Sequence, residues 1–296
     1  MTEKKSLIRI GLVQWKMTNF ADVDSLLNRA EFFIKSLSGF ETDFILFPEL
    51  FNGPLMGNFN ELNEYHAIRK LAEYTETIRK RFSELAVLFE TNIITGSMPF
   101  SEGGQLFNVG FLCHRNGNTD MYRKIHITPN ETEHWEISGG NEIRAFETDC
   151  GKIGILICYD VEFPELSRLL AEDGMQILFV PFLTDTQNGF TRVQRCAQAR
   201  AIENECYVAI AGSVGELYNV KNMDIHYAQS AVFTPSDHSF PPDGIKAETI
   251  ANNEMTLIAD LDPELLKNLH NNGSVKNLKN RRKDVYSLFK TGLAGA

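Results

Sequence analysis

Apolar residues fall along this chain in two alternating rhythms. Leu7 to Gln14 is a short, β-branched apolar run and predicts a strand. Asp22 to Leu37 follows with Val23, Leu26, Leu27, Ala30 and Phe33 at helical spacing. Phe44 to Phe47 is a second strand, stopped by Pro48. Leu62 to Glu90 reads as one amphipathic helix, and Asn92 to Ser97 as a short strand. Asn108 to His114 and Thr119 to Arg123 form a hairpin, because the Arg115-Asn116-Gly117-Asn118 turn between them tolerates positive φ.

A second α/β passage then begins. Ile153 to Ile157 is almost continuously apolar, as a strand buried on both faces would be, and it ends at Cys158. Pro164 suits the first position of a helix whose apolar side is Leu166, Leu169 and Leu170. Ile177 to Val180 predicts a strand stopped by Pro181, Phe190 to Asn204 a helix, and Tyr207 to Ala211 a strand. Ser230 to Phe233 and Thr256 to Leu261 are late strands. The segments from Gly215 to Tyr227 and from Pro235 to Gly244 are polar and loop-like. Strands alternating with helices, with no repeat and no low-complexity linker, predict one α/β domain over residues 1–296. Its basic C-terminal extension, 276–296, is read either as solvated or as an arm on a partner subunit.

Composition narrows the function classes. The chain has 296 residues, 43% hydrophobic and 23% charged, which is ordinary for a globular protein with a large core. Its net charge is −10 and no lysine- and arginine-rich block stands out, so nucleic acid is not an expected partner. No apolar stretch is long enough to span a bilayer, so no membrane association is expected. Arg9 interrupts the apolar run after Lys4 and Lys5, which argues against a secretory signal. Five cysteines leave at least one unpaired within the chain. Reduced thiols and a cytoplasmic location are the expectation.

The candidate chemistry lies at strand ends. Glu49, Lys124 and Cys158 each follow a predicted strand. Ligands of α/β sheets gather outside the carboxyl ends of strands. A carboxylate that takes a thiol proton, an ammonium that stabilises developing negative charge and a thiolate that attacks would make one site. Taken singly, each has a plainer reading. Cys158 would be a small buried hydrophobe, Glu49 a cap or loop carboxylate, and Lys124 an exposed hairpin lysine.

Three blocks carry a resemblance that ties these residues together: Phe47-Pro48-Glu49, Tyr122-Arg123-Lys124-Ile125-His126 and Cys158-Tyr159-Asp160-Val161-Glu162-Phe163-Pro164-Glu165. In order and spacing the chain resembles the nitrilase superfamily of carbon–nitrogen hydrolases, from Ile8 to the strand around Ile258. Arg195 to Asn204 and Tyr227 to Phe233 make it similar to the amidase-type branch often fused to an acetyltransferase domain. The resemblance implies a four-layer α-β-β-α sandwich and a homodimer or larger homo-oligomer associating through helical faces. No metal or other cofactor is expected, because His126 and His134 are not spaced like a zinc pair and no cysteine cluster joins them. It implies that Cys158 is the nucleophile, Glu49 the general base and acid, and Lys124, with the backbone N–H of Tyr159, the oxyanion partner. The family's second glutamate is assigned to Glu133, with Glu131 and Glu136 as competitors.

The resemblance also points to the loop from Phe182 to Thr186 as part of the substrate pocket. Glu162 stands where many members carry arginine. Glu162 or Asp185 would pair with a cationic end of substrate, Thr184 would line the pocket, and His134 would reach it from beside Glu133; solvated or structural roles are open for each. The implied substrate is a small amide or N-carbamoyl amine. The alternatives are a nitrile, or a catalytically silent binding protein. The other cysteines, Cys113, Cys150, Cys196 and Cys206, are read as packing residues.

Overall fold

The computed structural model describes residues 7–59 and 61–291. Lys4 and Lys5, and the last five residues of the C-terminal extension, lie outside the described residues. The strands are β1 (Ile8–Lys16), β2 (Phe44–Leu46), β3 (Asn92–Ile94), β4 (Met98–Glu102), β5 (Gln105–Cys113), β6 (Thr119–Arg123), β7 (Ile137–Ser138) and β8 (Phe146–Thr148). They continue with β9 (Gly151–Ile155), β10 (Ile177–Phe182), β11 (Tyr207–Glu216), β12 (Ile225–His226), β13 (Ala231–Phe233), β14 (Ile245–Glu248) and β15 (Met255–Leu261). The α-helices are α1 (Val23–Ser38), α2 (Glu64–Ala72), α3 (Thr75–Leu88), α4 (Pro164–Glu172), α5 (Gln187–Glu203) and α6 (Pro263–Asn272).

The strands form two stacked sheets. One runs β15-β1-β2-β3-β5, with β4, β6 and β7 also paired to β5. The other runs β8-β9-β10-β11-β13-β14. They join where the ends of β1 and β11 pair, Trp15 with Ser213 and Lys16 with Val214. Strand alternation divides the apolar side chains between two cores. Ile8, Ile10, Leu12, Phe44 and Leu46 point inward to the second sheet, where Phe44 meets Phe179 at 5.3 Å between ring centroids. Val13, Trp15, Ile45 and Phe47 point outward onto α1 and α3. Helices α4 and α5 cover the far face of the second sheet through Leu166, Leu170, Val193, Ala197 and Ala201. This is the α-β-β-α sandwich.

Local sequence explains most of the elements. Helix α1 starts at Asp22, whose side chain accepts from Ser25 N while Ser25 Oγ accepts from Asp22 N, a reciprocal cap. The expected single helix over 62–90 is instead two, broken at Glu73 and Tyr74. Their N–H groups donate three residues back, to Lys70 and Leu71. Thr75 then turns inward and donates from Oγ1 to Pro99 O at 2.6 Å. Leu71, Thr75, Ile78 and Phe82 are all buried and keep helical spacing, so the periodicity runs through the break and hides it.

Strand β10 also runs past its expected stop, through Pro181 to Phe182. Phe179 O accepts from Leu156 N, so Phe179 and Pro181 face the β9 side. β9 pairs only as far as Phe179, and the missing N–H of Pro181 therefore breaks no ladder bond. The small residues Ala197 and Ala201 of α5 are buried in this chain's own core, not offered to another helix. The basic tail lies against α4, with Arg281 on Glu172 at 2.6 Å and Lys290 on Asp173 at 2.6 Å. No helix among the described residues is long and apolar enough to cross a membrane.

Candidate active site

Topology decides which strand ends converge. β2, β9, β10 and β11 are linked by parallel pairings through β1. β6 is antiparallel to β5, which is antiparallel to β3, itself parallel to β2. The carboxyl ends of β2, β6, β9 and β10 therefore open on one side. Glu49, Lys124, Cys158 and Leu183 are the residues that leave those ends.

Around Lys124 the side chains form a buried cluster. Lys124 Nζ donates to Glu49 Oε1 at 2.8 Å and to both Glu131 oxygens at 2.8 and 2.9 Å. Asn108 Nδ2 donates to Glu49 Oε1 at 2.9 Å and to Glu131 Oε1 at 3.2 Å. Thr128 fixes Glu131 Oε2 with its N–H and its hydroxyl. Leu183 links the remaining pair: its N–H donates to Glu49 Oε2 at 3.0 Å, and the Cys158 thiol donates to its carbonyl at 3.6 Å. Glu49, Lys124, Glu131 and Cys158 all line one cavity of about 260 Å³.

Cys158 opens a tight helical turn, 158–162, that follows β9 after Leu156 and Ile157, and it has φ of +48°. For a residue with a side chain this left-handed conformation costs about 1–3 kcal/mol, strain that collects at functional sites. Tyr159 is second in the turn, and N–H groups at the start of a helical turn lack a carbonyl partner within it. Two buried side chains hold the turn in place. Asp160 accepts from His126 N at 2.7 Å and Ile125 N at 3.2 Å, which ties the Cys158 turn to the strand end bearing Lys124. Arg200 donates to Val161 O and Glu162 O from α5.

Burial drives the electrostatics, and the partners sort the outcome. Glu49 is pushed above the usual carboxylate range by burial and by the Glu131 charge, against the pull of Lys124. Glu131 is buried as well, but Lys124 and the Thr128 donors outweigh burial and hold it below that range. Lys124 resists the effect of burial because two carboxylates face it, and it stays protonated. Burial raises the Cys158 thiol well above its ordinary value, and the Glu49 carboxylate adds to this. The resting site therefore holds a thiol, one fixed anion and one carboxyl suited to proton transfer.

The structure corrects two expected site residues. Glu133 is exposed, and Glu131 takes the place against Lys124. Residues 131–135 form a single helical turn with Glu131 and Trp135 on its buried face, which puts Glu133 on the opposite side. His134 turns away and pairs with Glu64 at 3.3 Å. Glu162, Thr184 and Asp185 do line the cavity. Glu162 is engaged by Arg192 Nε at 3.3 Å, and Thr184 Oγ1 donates to Tyr227 O at 2.7 Å.

Asn108, Thr128, Asp160 and Arg192 were not anticipated. Asn108 carried a signal: it is an amide among apolar neighbours in a strand, and such a residue is buried only with partners. The cavity is also lined by Trp135, whose buried indole N–H has no partner among the described residues. Glu131→Gln should lower turnover by about two to three orders of magnitude, by loosening Lys124 in its site. Glu133→Gln should match the parent protein. Steady-state rates of the two variants, measured side by side, check the assignment.

Residues 9–271 match the family described as Carbon-nitrogen hydrolase. The chain belongs to that family. As a carbon–nitrogen hydrolase family member it is 44% identical over 281 residues to the "Probable hydrolase YhcX" of Bacillus subtilis (strain 168). That match covers 95% of this chain and 55% of the relative, so the chain spans about half the length of that relative. It is 28% identical over 293 residues to the omega-amidase NIT2 of Danio rerio, covering 96% of this chain and 98% of the other. Among solved structures, Saccharomyces cerevisiae Nit3, a member of branch 10 of the nitrilase superfamily, superposes with a TM-score of 0.72. Identity there is 25%, with 90% of this chain and 93% of Nit3 covered. The carbon–nitrogen hydrolase of Helicobacter pylori G27 shares the fold with a TM-score of 0.81 at 22% identity, covering 96% and 98%.

Proposed function

We propose that this family member is a thiol hydrolase that cleaves the C–N bond of a small amide or N-carbamoyl amine through a Cys158 thioester. One observation carries the reading: Glu49 and Cys158 meet across Leu183 in the cavity that Lys124 also lines. The Glu49 carboxylate takes the Cys158 proton as sulfur bonds to the substrate carbonyl carbon. The π pair moves onto oxygen, which sits between the Lys124 ammonium and the Tyr159 N–H. One such donor is typically worth about 3 kcal/mol of barrier. The C–N bond breaks as Glu49 passes its proton to the leaving nitrogen, giving ammonia or an amine and a thioester. Water then attacks that thioester and gives a proton to Glu49. The C–S bond breaks, the acid departs, and Glu49 returns the proton to sulfur. Glu131 stays ionised throughout and keeps Lys124 charged and in place.

The matches to amidase-named relatives support amide over nitrile substrates. Nearness to the acetyltransferase-fused branch is part of the same reading and rests on the sequence blocks. Five free cysteines favour a reducing compartment, and cytoplasm is proposed on that ground. A homodimer is proposed from the family resemblance alone.

The test is ammonia or amine release from matched amides, carbamoyl amines and nitriles across pH. Glu49 must be ionised to take the thiol proton, and its pKa is raised. The acid limb of kcat/KM should therefore have its midpoint above the ordinary carboxylate value of about 4.3. Turnover of nitriles alone, or an acid limb that survives Glu49→Gln, would refute the reading.

A further inference from the structure

Charge in the cavity is unbalanced in a way the chemistry above does not need. Four carboxylates line it, Glu49, Glu131, Glu162 and Asp185, against two cations, Lys124 and Arg192. Lys124 is consumed by Glu49 and Glu131, and Arg192 pairs through Nε with Glu162 at 3.3 Å. Asp185 is exposed at the cavity wall and makes no hydrogen bond or ion pair with any described residue. Its loop is nonetheless fixed. The neighbouring Thr184 accepts from Tyr227 N at 2.8 Å through its backbone and donates to Tyr227 O at 2.7 Å through its hydroxyl. The nearby His226 does not neutralise Asp185, since burial pushes its pKa down to about 4 and it is uncharged at neutral pH. An unpaired carboxylate on an anchored loop thus lines the same cavity as Cys158.

We infer that the protein acts on short amides that carry a distal ammonium group, and that Asp185 receives that group. The inference rests on the thiol-hydrolase reading and adds the substrate's charge. A cavity of about 260 Å³ falls below the roughly 300–1,000 Å³ of drug-sized sites, so the acyl chain is short. An anionic chain would meet Asp185 and Glu162, with Arg192 already engaged. The rival role for Asp185 is to complement the positive end of α5, which begins at Gln187. That role concerns stability and makes no distinction among substrates.

The experiment compares three amides of similar length on the full chain: delta-aminovaleramide, hexanamide and glutaramate, whose distal ends are cationic, neutral and anionic. The cationic amide should exceed the neutral one in kcat/KM by about tenfold, mainly through KM, as one partly solvated ion pair provides. The anionic amide should be poorest, and added salt should narrow the spread. Asp185→Asn should bring the cationic-to-neutral ratio near unity, and Glu162→Gln, by releasing Arg192, should improve the anionic amide. A ratio unmoved by Asp185→Asn, with thermal stability alone changed, overturns the inference, as does wild-type preference for glutaramate. If no amide is turned over, the thiol-hydrolase reading falls separately. Calorimetric binding of the same three compounds to Cys158→Ala protein then ranks them without turnover. Cationic-first binding upholds the role of Asp185, whereas any other order, or no binding, overturns it.

Discussion

Cys158→Ala should remove turnover, by at least about 10⁴-fold, because Cys158 is the one thiol among the described residues that line the cavity. The remaining cysteines offer no substitute. Cys113 and Cys206 are sealed in the core, with thiols pushed up to about 12 by burial. Cys150 is half-buried beside Arg115 and Asp149 and is likewise raised to about 12, and Cys196 is not among the residues lining the cavity. The fold should survive the substitution. Loss of one buried sulfur costs about 1 kcal/mol, and the left-handed backbone at 158 is equally strained with alanine. Rates on a good amide, with a denaturant midpoint measured on the same protein, check both halves. A rate that persists in a folded Cys158→Ala protein would exclude the thioester route.

Lys124→Met should have the largest effect on stability. In the parent protein one ammonium lies between two carboxylates and all three groups are buried; Lys124 and Glu49 are each 2% exposed and Glu131 is 5% exposed. Breaking a buried charged group by removing one partner typically costs about 3–5 kcal/mol. The sign of the pH dependence follows from what is left behind. Without Lys124 both carboxyls are held by burial and mutual repulsion above their unfolded values, so the folded state binds more protons than the unfolded state over that window. The stability deficit should therefore be greatest at and above neutral pH and should shrink as pH falls through the raised folded values. Urea midpoints across pH would show it. A deficit that does not vary with pH would mean that the carboxylates rearrange into solvent.

The candidate site was legible wherever a residue is chemically costly in its setting. Glu49 and Cys158 end apolar runs, Lys124 follows a hairpin strand, and the motifs around them carry the resemblance. Glu131 could not be told from Glu133 in this way. The two lie two residues apart, and burial of one or the other depends on the helical phase of a single turn that sets Trp135 inward. Arg192 carried still less signal, since it is a mostly exposed arginine on α5 whose role comes only from Glu162 packing beside it.

By itself the sequence determined the rhythm of strands and helices and the three candidate side chains at strand ends. Those properties depend on near neighbours and on hydrophobic period, and both are written along the chain. The tertiary structure alone decided that four strand ends open on one side, that Glu131 takes the second place on Lys124, that Asp160 clasps the Cys158 turn to the lysine strand, and that Asp185 is left unpaired among the described residues. These pairings run over separations of 7 to 134 residues, from Lys124–Glu131 to Glu49–Leu183. Their geometry is set by sheet register and helix phase, quantities that no local window contains.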